Sequence, residues 1–78
     1  MKQREYIVKI LGLAYDVNSK GKDHIFVTFS GHVNKIEVSI HIGGWDQEKP
    51  DYDKQFSFYL DGDFEQPAKE CIKFLKSL

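Results

Sequence analysis

The feature that most constrains this chain is a two-residue alternation repeated in three segments. In "HIFVTFS" (24–30), Ile25, Val27 and Phe29 fall on one side and His24, Phe26, Thr28 and Ser30 on the other. "KIEVSIHI" (35–42) sets Ile36, Val38, Ile40 and Ile42 against Glu37, Ser39 and His41. "QFSFYL" (55–60) sets Phe56, Phe58 and Leu60 against Ser57 and Tyr59. Successive side chains of a strand point to opposite faces, so each segment predicts a strand with one apolar face. One-sided strands of this kind pair antiparallel over a single core. "SGHVN" (30–34), between the first two, is short enough for a hairpin connection.

A sheet with one apolar face needs a cover, and the C-terminal segment supplies it. After "DGD" (61–63) the period changes, and Phe64, Ala68, Cys71, Ile72, Leu75 and Leu78 recur mostly at steps of three and four. Lys69, Lys73 and Lys76 fall off that stripe, which is the pattern of an amphipathic helix. Pro67 suits a first helical turn, Asp63 or Gln66 are available as caps, and early acids with later lysines match the helix dipole.

The N-terminal segment has two readings. "YIVKILGLAYDV" (6–17) carries Ile7, Ile10, Leu11 and Ala14 at helical spacing, and Tyr6, Val8 and Ile10 at strand spacing. Its Ile/Val content and Gly12 weigh against an exposed helix, so the strand reading is preferred. The expected fold is α+β: an antiparallel β-meander of three or four strands with one C-terminal amphipathic helix on a face, β-β-β-β-α. The alternative is α-β-β-β-α. Residues 1–78 are expected to form a single domain without repeats, and a core of that size leaves about 3–5 kcal/mol of net stability.

A single cysteine excludes an intramolecular disulfide, which points to a reducing, cytoplasmic setting. The opening apolar run is interrupted by Lys9 and is too short to span a bilayer, so it is read as part of the fold and not as a membrane segment.

Catalytic and metal chemistry find little support. His24, His32 and His41 have no compact ligand spacing, and "DGDFE" (61–65) lacks the rest of a calcium loop. Cys71 lies on the apolar stripe, where a thiol is inert, and no serine sits in a nucleophile elbow. The expectation is a protein that is not an enzyme and takes no metal or cofactor.

Charge is unevenly spread. Residues 1–35 carry six Lys/Arg against three acids, 36–66 two Lys against eight acids, and 67–78 three Lys against one acid. The middle block includes "GGWDQEKPDYDKQ" (43–55), which holds the one Trp of the chain. Trp and Tyr are enriched at interface hot spots, and flanking carboxylates favour a basic counterpart. The expected contact residues are Trp45, Asp46, Glu48, Asp51, Tyr52 and Asp53, joined by Asp61 and Asp63 if the two acidic loops share one end of the sheet. The expected partner is therefore a protein with a basic surface. Nucleic acid is the second choice, through Lys2, Arg4, Lys9, Lys20 and Lys22 or by stacking on Phe26 and Tyr59. A homodimer through an open sheet edge is the third.

Two resemblances bear on these expectations. With a helical first segment, the element order resembles the double-stranded-RNA-binding domain, a family that grips phosphates with lysines at the start of its last helix. Here "DGDFEQPAKE" (61–70) puts Asp61, Asp63 and Glu65 there with Lys69 following, so the family's functional residues do not carry over. In size, element order and the acids of "WDQEKPDYD" and "DGDFE", the chain also resembles small bacteriophage and mobile-element proteins such as anti-CRISPR inhibitors. That resemblance implies an acidic inhibitor that occupies a basic groove on its target.

Overall fold

The computed structural model describes residues 2–44, 48 and 51–78, with Lys2 described in its backbone alone. The elements are α1 (Lys2–Ser19), β1 (His24–Ser30), β2 (Lys35–His41), β3 (Lys54–Tyr59) and α2 (Glu65–Lys76). The three strands form one antiparallel sheet in the order β1-β2-β3. Its register places Val27 beside Val38 and Val38 beside Phe56, with Phe29, Ile36 and Phe58 forming the next row. The three alternations therefore coincide on one face.

The first segment corrects the preferred reading: residues 2–19 are a helix, and the alternative order α-β-β-β-α is the one observed. The cause is the area that must be covered. A helix is about 10 Å across and so spans about two strands spaced about 4.8 Å apart. One helix leaves part of a three-stranded apolar face in water. α2 lies over β3, α1 over β1, and the two helices pack side by side. α1 buries Ile10, Ala14 and Val17, with Tyr6, Ile7 and Leu13 packed at the margin of the core. These positions recur every three or four residues, so one helical face supplies them all. The strand reading grouped Val8 with Ile10, but Val8 is 60% exposed while Ile10 is 0% exposed.

The core gathers these residues with Ile25, Ile36, Val38, Ile40 and Phe58 from the sheet and Ala68, Cys71, Ile72 and Leu75 from α2. Two edge-on aromatic pairs close its margins. Tyr6 of α1 meets Phe64 at 5.7 Å, and Phe56 of β3 meets Phe74 of α2 at 5.9 Å. α2 begins as its composition suggests, with Pro67 in the first turn, but neither Asp63 nor Gln66 serves as cap. The N-cap position is Phe64, which makes no side-chain cap bond, and its carbonyl accepts from Ala68 N–H at 2.9 Å. Burial of Phe64 in the core sets where this helix starts.

Asn18, in the last turn of α1, fastens the helix to the edge of the sheet. Its Oδ1 accepts from Ile25 N–H at 2.7 Å and its Nδ2 donates to Ile25 C=O at 3.0 Å. The amide thus takes both backbone groups of one residue on the outer strand β1, as a neighbouring strand would. That blunts part of an edge that would otherwise be open to pairing. Asn18→Ala is expected to lower unfolding stability by about 1–2 kcal/mol, because it removes both partners from partly buried backbone groups. Urea denaturation checks this, and an unchanged midpoint would refute the role assigned to Asn18.

Candidate functional site

Strand direction decides which loops are neighbours. The β2–β3 connection leaves from the end of the sheet where α1 joins β1. The β1–β2 turn and the β3–α2 turn lie at the other end, where Leu60 N–H donates to Asn34 C=O at 2.7 Å. The acidic loop after β2 and the Asp61–Asp63 turn are therefore separated by the length of β3, about 20 Å for six residues. This exceeds the screening length of about 8–10 Å at physiological salt, so the two sets of carboxylates do not add to one field. Asp61 and Asp63 are exposed, but they stand apart from the other expected contact residues.

The neck of the β2–β3 loop is built from two carboxylates and two glycines. Asp53 Oδ2 accepts from Ile42 N–H at 2.7 Å, while Asp53 N–H donates to Ile40 C=O at 2.9 Å. From the α1–β1 turn, Asp23 Oδ1 accepts from Gly43 N–H at 2.8 Å, and Asp23 is only 4% exposed. Gly43 and Gly44 adopt φ of +85° and +94°, a region costly for residues with a Cβ. A Cβ on Gly44 would make only ordinary contact with the His24 ring, at 3.5 Å, so it is the backbone angle that favours glycine there. The chain is thus turned sharply out of β2 and held on both flanks.

Beyond this neck, Glu48, Asp51 and Tyr52 are exposed, while Trp45 and Asp46 lie outside the described residues. Of the acids expected to make contacts, Asp53 has a structural duty, binding backbone rather than projecting freely. Asp23, which holds the other flank, was not anticipated. Its one signal in the sequence is a carboxylate placed just before a strand, and nothing local says which amide it meets.

The sheet face away from the helices carries His24, Phe26, Thr28, Lys35, Glu37, Ser39, His41, Gln55, Ser57 and Tyr59. Phe26 and Tyr59 are about half exposed there, as the alternation implies. They are already engaged: Phe26 lies 5.0 Å from the His41 ring, which it helps to bury, and Lys35 Nζ sits 5.6 Å over the Tyr59 ring. Lys35 also pairs with Glu37 at 3.1 Å. The Glu37 hydrogen bond, with its charge and that of Tyr59, raises the Lys35 pKa above its ordinary value. Gln55 donates to Ser39 at 3.2 Å. Directly paired His24 and His41 share this face, while His32 lies in the turn at the far end. Among the described residues, no three His, Cys, Asp or Glu side chains come together as a metal site.

Cations collect on the helical side. Lys9 of α1 faces Lys69, Lys73 and Lys76 of α2 across a groove whose apolar lining is Tyr6 and Ile72. Residues 69, 73 and 76 lie on one face of α2 because helical neighbours are three and four apart. Their meeting with Lys9 is not legible on a strand reading of the first segment. Lys20 lies elsewhere, donating to the Leu78 carbonyl at 3.3 Å. Among the described residues, no helix is long and apolar enough to cross a membrane.

Cys71 is 0% exposed, and burial pushes its thiol up to about 12 from 9.0. The protonated thiol is the neutral form, so the folded chain keeps its proton to higher pH than the unfolded chain. Its contribution to stability is complete below pH 9 and is lost as pH rises toward 12. The loss is at most about 1.4 kcal/mol per pH unit. A thiol reagent at neutral pH is expected to label Cys71 only when denaturant unfolds the chain, and Cys71→Ala should flatten the alkaline fall in stability. Rapid labelling of the native protein would contradict this burial.

Compared with known protein families, curated proteins and solved structures, the chain matches none.

Proposed function

We propose that this chain is a small protein-interaction module, an inhibitor of the phage type, that docks its β2–β3 loop on a basic surface of a partner protein. The observation that supports this most is the construction of the loop's neck. Asp23 and Asp53 bind the backbone on either flank, and Gly43 and Gly44, both at positive φ, end β2 in a tight turn closed by Gly44 N–H on the His41 carbonyl. A loop held at its base loses less conformational entropy when it is bound. Beyond the neck, exposed Glu48, Asp51 and Tyr52 combine negative charge, which speeds encounter with a cationic surface, with an aromatic ring that supplies contact area. Trp45 and Asp46 belong to the same loop by sequence and are assigned to the same contact. Asp61 and Asp63, at the other end of the sheet, are left out of it. The chemistry is recognition rather than catalysis, and the single buried thiol suits a reducing cytoplasm.

The test separates contact from construction. Asp51→Lys with Tyr52→Ser should leave urea stability within about 0.5 kcal/mol, because both side chains are exposed. The same pair should abolish salt-sensitive capture of partners from a native lysate. Asp53→Ala should instead lower stability by about 1–2 kcal/mol, through loss of its backbone bond. Retention of the same partners by the double variant would remove the loop from consideration.

A second reading is favoured by the Lys9, Lys69, Lys73 and Lys76 groove: contact with the phosphate backbone of a nucleic acid. Each phosphate neutralised by a lysine steepens the salt dependence of affinity. On this reading, duplex RNA of about 16 base pairs or single-stranded DNA changes in anisotropy at low salt. Lys69→Glu with Lys73→Glu removes that change. No binding by the parent chain at low salt eliminates the reading.

A further inference from the structure

α1 carries two apolar stripes, and the fold uses one. The outer stripe consists of Val8, Leu11 and Tyr15, which are 60%, 48% and 73% exposed. Their spacing of three and four residues sets them in one row on the outward face, with Arg4 one turn before Val8. Gly12 lies beside this row in the helix interior, where glycine is the least favourable residue after proline. Nothing inside the chain calls for it: its φ is not in the left-handed region, and a Cβ placed on it would meet nothing within 4 Å. A residue without a side chain on an outward helical face lets another backbone approach closely.

The charges around this row identify the occupant. Arg4 and Lys9 are balanced by Glu5 and Asp16, so the patch has no net charge, and two copies can meet there without repulsion. The acidic loop and the lysine groove lack this property. The ends of the row are also complementary. Arg4 stands at one end and Tyr15 with Asp16 at the other, and a shallow depression lined by Arg4, Glu5, Val8 and Lys9 lies at the Arg4 end.

We infer that α1 is a dimerisation face whose occupant is the α1 of a second copy, packed antiparallel about a two-fold axis. In that arrangement Val8 meets Leu11 of the other copy. Tyr15 of each copy enters the depression beside Arg4 of the other, where guanidinium and ring attract. A parallel arrangement would instead set Arg4 against Arg4. The interface is isologous and therefore closed, giving dimers rather than filaments.

Sedimentation equilibrium of the full chain, from micromolar to near-millimolar concentration, tests this. A monomer–dimer equilibrium is expected, with Leu11→Glu and Tyr15→Lys each raising the dissociation constant at least tenfold while the circular dichroism spectrum is unchanged. Gly12→Leu is the second control. It improves helix propensity and blocks close approach, so it should give a monomer at least as stable as the parent. A chain that stays monomeric throughout overturns the inference, including when the stripe binds a helix of some other protein. A dimer unaffected by the α1 variants and abolished by Phe29→Lys, on the edge strand β1, also overturns it.

Discussion

The structure depends on covering one apolar sheet face. Ile36, Val38 and Ile40 of the central strand are wholly buried, and no single helix is wide enough to shield all three strands above them. Two helices are therefore required. Because β1 and β3 are the outer strands, one helix settles over each, and the helices meet above β2. Placement of Tyr6 against Phe64 and of Asn18 against the edge of β1 follows from that first constraint.

The same architecture separates three kinds of surface. Loops at opposite ends of the strands hold the carboxylates, the seam between the helices holds the lysines, and the outer side of α1 holds a neutral apolar row. The sheet face left uncovered is occupied largely by its own contacts, with Phe26 on His41 and Lys35 shared between Glu37 and Tyr59. Charge that looks like alternating blocks along the chain becomes a set of distinct faces once folded. Each face suits a different class of partner, and proximity in sequence is a poor guide to which residues share one.

The three strands and α2 were legible because each has one apolar face, and the period of that face names the element. α1 was not, because apolar side chains occur on both its faces. Val8, Leu11 and Tyr15 on the outside filled the gaps left by Ile7, Ile10 and Ala14 on the inside, so neither period stood out. The ambiguity was itself a sign of a surface without a partner inside the chain. The acidic loop was legible as composition, but the duties of its members were not. Nothing near Asp53 or Asp23 in sequence shows that they bind the amides of Ile42 and Gly43. Asp61 and Asp63 part from that loop because the strand β3 runs between the two acidic stretches, and a strand carries its flanking loops to opposite ends of the sheet whatever the first segment does.

The central claim is that α1 shares one core with α2 on a single face of the sheet. Amide hydrogen exchange followed by nuclear magnetic resonance tests it most directly. If the account holds, the amides of Ile10, Ala14 and Val17 exchange as slowly as those of Val38 and Ile40, and their side chains show contacts to the sheet. Fast exchange across residues 6–17, or cross-strand contacts joining this segment to β1 as a fourth strand, would contradict it.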